Sequence, residues 1–214
     1  MTKRVRHPVF ARIYSNVAEM SERRGGGEHR RKLLEGLQGR VVEIGAGSGA
    51  NFAHYPASVN ELVALEPEDY LRERARDAAA KVPVPISIHD ASAEELPGEN
   101  DSFDAGVVSL VLCTVADQQT ALAELHRVIR PGGELRFYEH VVSHSRFEAG
   151  FQRFADATFW PRVAGGCHLA RDTQSAIVRA GFKIIRCERF AFSPAPFLPS
   201  DPHILGLAVK LETD

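Results

Sequence analysis

The chain has 214 residues, 44% hydrophobic and 25% charged, with a formal net charge of −2. That length suits one domain, or a domain with a modest cap, with apolar content for a sizeable core. The charge gives no overall attraction to nucleic acid or to an anionic membrane, and no apolar run reaches the roughly 20 residues of a spanning helix.

Near the N-terminus Lys3, Arg4 and Arg6 are followed by no apolar segment of secretory type. Val9, Phe10, Ile13, Tyr14 and Val17 recur at helical spacing, and the Gly25-Gly26-Gly27 run is expected to end that helix. A second short helix is predicted over 28–34. The basic run Arg23-Arg24 and His29-Arg30-Arg31-Lys32 reads as a solvated face, with a membrane-surface helix as the alternative. Residues 1–36 thus form a predicted helical lid.

From Arg40 the rhythm becomes strand, turn, helix. Strands are predicted over 40–44, 61–65, 84–88, 103–112 and 134–138. Leu71, Ala75, Ala78 and Ala79 make one helical face between them. Leu122, Leu125, Val128 and Ile129 make another, stopped by Arg130-Pro131-Gly132-Gly133. Such alternation implies a mainly parallel sheet with helices on both faces. Residues 143–171 break the rhythm as an aromatic-rich insertion. Its Phe147, Phe151, Phe154, Phe159 and Trp160 are read as the insertion's own core in preference to a substrate cage. Asp172-Thr173 then caps a helix ending at Gly181, followed by strands over 182–187 and 204–210. One α/β domain over 1–214 is expected.

The first strand runs into Gly45-Ala46-Gly47-Ser48-Gly49. Glycines in a tight strand-to-helix turn let a ligand approach where a Cβ would push it away. The spacing is G-x-G-x-G, which disfavours a nicotinamide-type dinucleotide site. Glu66 closes the second strand, and a carboxylate there offers acceptors to two neighbouring ribose hydroxyls. Glu43 is placed to accept from a ligand's ammonium group, with a surface or turn-stabilising role as the competing reading. The three cysteines, Cys113, Cys167 and Cys187, form no C-x-x-C pair, so neither a zinc site nor a disulfide framework is expected and a cytoplasmic location fits. Cys113 reads as a small buried hydrophobe and Cys167 as a loop cysteine.

The Glu43-x-Gly45-x-Gly47-x-Gly49 pattern resembles the first motif of class I methyltransferases. Ala93-Glu94-Glu95-Leu96-Pro97, Asp101-x-Phe103-Asp104 and Leu125-x-Arg127-Val128-x-Arg130-Pro131-Gly132-Gly133 resemble the subgroup that includes quinone-biosynthesis methyltransferases. The resemblance implies a Rossmann-like fold with seven strands, the last antiparallel, and S-adenosylmethionine as cofactor. It places Gly45, Ala46 and Gly47 against the donor's methionine part, Glu66 and Pro67 at the ribose, Ser92 and Ala93 at the adenine, and Ser109 and Leu110 beyond the fourth strand. Many relatives have Asp where this chain has Ser92, and Asp90 is the nearby substitute. Tyr14 is read as closing over the donor from the lid.

A further resemblance, to the vertebrate methyltransferase-like thiol S-methyltransferases, rests on five motifs. These are Gly49-Ala50-Asn51-Phe52 with Tyr55-Pro56, the run Leu110-Val111-Leu112-Cys113-Thr114-Val115, Glu139-His140-Val141, Gly166-Cys167-His168-Leu169-x-Arg171, and Pro202-His203-Ile204-x-Gly206-x-Ala208-Val209-Lys210. Those relatives carry an N-terminal hydrophobic anchor with no counterpart here, so no integral membrane segment is expected. The expected activity is methyl transfer to a small apolar acceptor, thiols first. The rivals are O-, N- or C-methylation of a phenol, quinone or lipid-like amine, and a non-catalytic module that binds S-adenosylmethionine. His140, at the carboxyl edge of the sheet, is the candidate general base, with a pocket-shaping role equally open. His168 and His203 read as structural.

Overall fold

The computed structural model describes residues 8–196 and 198–212. Seven strands form one sheet: β1 (Gly39–Ile44), β2 (Val59–Leu65), β3 (Ile86–His89), β4 (Phe103–Ser109), β5 (Ile129–His140), β6 (Phe182–Phe192) and β7 (Asp201–Lys210). Their order is β3-β2-β1-β4-β5-β7-β6. The first five strands pair in parallel, and β7 runs antiparallel to both β5 and β6. This is a Rossmann-like sheet, with the expected strand count and the expected reversal of the last strand.

Alternate residues of the central strands point to opposite faces, so each strand feeds two cores. Val42, Ile44, Val63, Leu65, Val108, Leu135 and Phe137 pack on one face. There they meet α4 (Gln118–Val128) and α7 (Thr173–Arg179) through Leu122, Leu125 and Ile177. Val41, Leu62, Ala64, Ala105, Val107 and Tyr138 pack on the other. Leu33 and Leu34 of α2 (Gly27–Leu34) and Ala75 of α3 (Asp69–Ala79) cover that side. Fully burying one Leu or Ile contributes roughly 1.5–3 kcal/mol, so these two layers carry the fold. Caps close the helices as polar side chains accept the orphan N–H groups of a first turn. Asp117 accepts from Gln119 and Thr120 ahead of α4, and Asp172 accepts from Ser175 ahead of α7. Arg136 of β5 donates to the carbonyls of Leu33 and Glu35, which fixes the end of α2 on the sheet.

Of the element boundaries that differ from the sequence reading, three have a local backbone cause. Helix α1 (Pro8–Ser21) does not simply stop at the glycine run. It passes through a π-helical turn, Glu22–Gly26, where Gly25 takes φ 109°, and α2 starts at once. β4 stops at Ser109 because Leu110 turns to φ 58°, a left-handed conformation that ends strand geometry. β5 starts at Ile129, which pairs with Phe103 before a register shift across the glycine turn.

The insertion departs most. It folds as α5 (Arg146–Thr158), a single turn α6 (Trp160–Val163) and a loop into α7. Phe147, Phe151, Phe154 and Phe159 are exposed, so they do not form a core. The face that α5 buries is made of Ala149, Gln152 and Ala155 instead. No described helix is long and apolar enough to cross a membrane.

Candidate active site

The carboxyl ends of β1, β2, β4 and β5 gather the predicted donor residues at one edge of the sheet, where ligands of open α/β folds bind. Gly45, Gly47 and Gly49 take φ 65°, 58° and 79°. A Cβ at Gly45 would also run into the Val111 side chain. Glu66 is 5% exposed. Its carboxylate accepts from Gly47 N at 2.8 Å and Glu68 N at 2.9 Å, which ties the glycine turn to the end of β2. A carboxylate has about four lone-pair directions, so two remain for a ligand. Burial raises its pKa to about 7, against the lowering effect of those two N–H groups. Pro67 follows it, half-buried.

Glu43 is buried, and its pKa is raised by that burial. Its oxygens accept from Asn51 Nδ2 at 2.6 Å and from the Tyr55 hydroxyl at 2.9 Å. Arg30 Nη1 donates to Asn51 Oδ1 at 2.7 Å and to Ser109 Oγ at 3.1 Å, while Nε donates to Glu22 at 2.6 Å. Arg30 is therefore not part of a solvated face: it is 5% exposed and joins the lid, the glycine turn and β4. A small recess lies between Ala18 of α1, Arg30, Glu43, Gly45, Ala46, Asn51 and Ser109. Its mix of a guanidinium, a carboxylate and bare turn backbone suits a zwitterionic amino-acid moiety. A wider cavity of about 500 Å³ between α1 and α3 has neither Glu66 nor Ser109 in its lining.

Of the two residues expected at the adenine, Ala93 is buried and Ser92 half-buried. Asp90 lies 3.4 Å from Arg72 Nη1, which also donates to the Glu66 carbonyl. Tyr14 stands on α1 one turn before Ala18, but its side chain lies outside the described residues.

Beyond β4 the chain is shaped by Glu139, a residue to which sequence reasoning assigned no role. Its fully buried carboxylate accepts from Val111 N and Leu112 N at 3.0 Å and from Cys113 N at 3.3 Å. Burial pushes its pKa up, and the three N–H groups oppose that. Leu110 N donates to Tyr138 O at 2.7 Å, so the left-handed turn at Leu110 is held from both sides.

The segment 166–171 wraps this loop: His168 N donates to Cys113 O at 2.8 Å and Arg171 Nη1 to Leu112 O at 2.5 Å. Asp156 of α5 holds the same segment by accepting from Leu169 N and Ala170 N. A hydrogen bond between the Cys113 and Cys167 thiols raises the pKa of Cys113, as burial also does, and lowers that of Cys167 against the opposing effect of burial. These two cysteines are far apart in sequence, and only the fold brings them together.

His140 ends β5, two residues beyond Tyr138, which pairs with Ser109. It is 6% exposed, and neither ring nitrogen has a hydrogen-bond partner among the described residues. Burial lowers its pKa, with Asp201 and Asp156 acting the other way. Its ring centroid is 5.5 Å from that of His203. His203 shares its Nδ1 with the Asp201 carbonyl at 2.8 Å, and burial lowers its pKa to about 4. His203 also stacks on Phe190, so it serves packing. His168 lies 3.9 Å from Asp156 beside the wrapped loop.

A Rossmann-like sheet of order 3-2-1-4-5-7-6, with a glycine turn after β1 and an acidic residue ending β2, defines a class I methyltransferase. Comparisons agree. A family profile described as "Methyltransferase domain" matches residues 42–137. The thiol S-methyltransferase TMT1B of Mus musculus is 36% identical over 188 residues, covering 84% of this chain and 75% of that protein. The thiol S-methyltransferase TMT1A of Homo sapiens is 31% identical, covering 79% and 70%. Among solved structures, the geranyl diphosphate C-methyltransferase of Streptomyces coelicolor superposes with a TM-score of 0.65 at 11% identity, covering 87% of this chain and 77% of that one. The chain belongs to the S-adenosylmethionine-dependent methyltransferase family that includes these thiol S-methyltransferases. It is an enzyme whose methyl donor is S-adenosylmethionine.

Proposed function

We propose that the enzyme methylates a small apolar thiol. The observation that carries this reading is the chemistry of the acceptor edge. The Glu139 carboxylate is committed to three backbone N–H groups, and the candidate base at the end of β5, His140, is buried with a lowered pKa. A thiol tolerates such a site, because its pKa is near 8.5 and the thiolate is a strong nucleophile without help. The names of the relatives point the same way.

The donor supplies an electrophilic methyl group, and the protein supplies position. Gly45, Ala46 and Gly47 seat its methionine part in the recess, Arg30 faces its carboxylate, and Glu43 orders the turn through Asn51 and Tyr55. Glu66 and Pro67 take the ribose, Ser92 and Ala93 the adenine. Ser109 and Leu110 hold the wall from which the methyl group meets the acceptor, and α1, with Tyr14, forms the lid. Leu110 keeps its strained backbone because Glu139 and Tyr138 hold the chain on either side of it. The loop 110–113 and Trp160 shield the reacting sulfur from water, and His140 tunes polarity there or takes a proton. Holding nucleophile and methyl group in line is enough to account for most of the rate.

Steady-state turnover of a panel of thiols of graded pKa tests this. The pH at which the rate rises should follow each thiol's own ionisation, and His140→Ala should lose at most about a hundredfold. Thiols left unmethylated, together with a phenol whose methylation collapses in His140→Ala, would replace the thiol reading with the oxygen acceptor.

A further inference from the structure

Among the described residues eight large apolar side chains are exposed, and five of them lie between Arg146 and Val163, on α5, α6 and the residue that joins them. Phe147 is 88% exposed, Phe151 60%, Phe154 62%, Phe159 46% and Val163 63%. Phe147, Phe151 and Phe154 stand at i, i+4 and i+7, so they form one stripe along α5. The opposite stripe, Ala149, Gln152 and Ala155, is the buried one. An ordinary surface helix turns its large apolar residues inward, and α5 does the reverse. Polar groups fasten its inner side: Gln152 accepts from Ser143 N, and Asp156 accepts from the loop at Leu169 and Ala170. The stripe is thus held facing outward.

We propose that the α5–α6 face docks on the interfacial layer of an anionic lipid bilayer. Charge argues for that occupant. Arg146, Arg153 and Arg162 are exposed on this segment against one exposed acid, Glu148, whose carboxylate is occupied by Ser143 Oγ. A chain of net charge −2 therefore carries a locally positive, aromatic face. Area argues against a second copy. The four phenylalanines of the face, at roughly 200 Å² apiece when fully exposed, offer on the order of 500 Å² of accessible surface. A stable protein interface needs about 800 Å² from each partner, whereas a bilayer interface accepts a shallow row of aromatics beside arginines. Position adds a reason for the device. α6 begins at Trp160, and Asp156 fastens the loop that carries Cys167 to Cys113, so the docked face adjoins the acceptor edge. The docking itself does not depend on the acceptor being a thiol.

Flotation of the full chain with phosphatidylcholine vesicles, with and without phosphatidylserine, tests the inference. The wild type should float with the phosphatidylserine vesicles, less with phosphatidylcholine alone, and less at high salt. Substituting Phe147→Ser, Phe151→Ser and Phe154→Ser together should lower partitioning about tenfold or more. Because these side chains are exposed, the variant should keep its circular dichroism, its melting temperature and its affinity for S-adenosylhomocysteine. Arg146→Glu with Arg153→Glu should abolish the preference for phosphatidylserine. A wild type that floats with neither vesicle, or a triple variant that floats as well as the wild type, overturns the proposal. So does a wild-type dimer in sedimentation velocity that the triple variant lacks, which would make the stripe a protein interface.

Discussion

Glu66 is a carboxylate whose ionisation falls within easy experimental reach. Burial raises its pKa to about 7, and its oxygens already take the N–H groups of Gly47 and Glu68. Ribose hydroxyls that donate to it favour the anion, so donor affinity should weaken as the solution is acidified through about pH 7. For that pKa the ionised fraction falls from about ten elevenths at about pH 8 to about one eleventh at about pH 6, so Kd should rise about tenfold, about 1.4 kcal/mol. Calorimetry with S-adenosylhomocysteine, in two buffers of different ionisation enthalpy, reads both Kd and the proton released. Glu66→Gln keeps the shape but cannot ionise, and it reports the ligand's own titration as a control. The stability of the free protein should move the other way. The folded pKa lies above the ordinary 4.5, so the contribution of Glu66 to stability is full below about pH 4.5 and is lost as pH rises through about 7. The rise in Tm on adding ligand should therefore grow between about pH 6 and 8. A wild-type Kd that is flat over that range, or a slope shared by Glu66→Gln, would refute the reasoning.

Other expectations follow from the same site. Gly45→Ala places a side chain at φ 65° against Val111, and should cost about 1–3 kcal/mol in urea unfolding together with donor binding; wild-type values for both would show that the turn is not constrained. Glu139→Ala leaves three N–H groups without their acceptor and should cost about 3 kcal/mol, with kcat/KM falling more than donor affinity. Glu139→Gln should recover part of that loss, and a fully stable Glu139→Ala would mean the loop stands without it. Arg30→Met removes the cation shared by Asn51, Ser109 and Glu22 and should raise the donor Kd about tenfold or more, which calorimetry can contradict directly.

The sheet was legible because its inner strands are buried on both faces and read as short apolar runs, as in Val41-Val42-Glu43-Ile44 and Leu62-Val63-Ala64-Leu65. The pairing of glycine turn and acid was legible too, and the structure joins them through Gly47 and Glu66. Strand ends were harder. Nothing in a leucine announces a positive φ, so β4 was read through Leu110 to Leu112. Arg30 was hidden in a basic run, although its place three and four residues before the buried Leu33 and Leu34 puts it on their face of the helix. The contact of Cys113 with Cys167 is non-local, and no spacing rule reaches it. The phenylalanines of α5 gave a clear amphipathic period, but a period does not say which stripe meets the protein.

The last strand lies between β5 and β6, and among the described residues β6 hydrogen-bonds to no other strand. β6 can therefore join the sheet only in company with β7, as a hairpin that closes through 193–200 and docks sideways on β5. That makes the pair one cooperative unit, free to form early from local contacts and to detach as a block. Until it docks, β5 presents a bare edge of backbone groups from Glu134 to His140, the kind of template on which chains misassemble. Lys210 latches the unit in place, its ammonium donating to Asp101 Oδ1 and to the carbonyls of His126 and Ile129 at the far end of the sheet from the active site. The edge on which His140 stands is thus completed by a unit that can detach as a block.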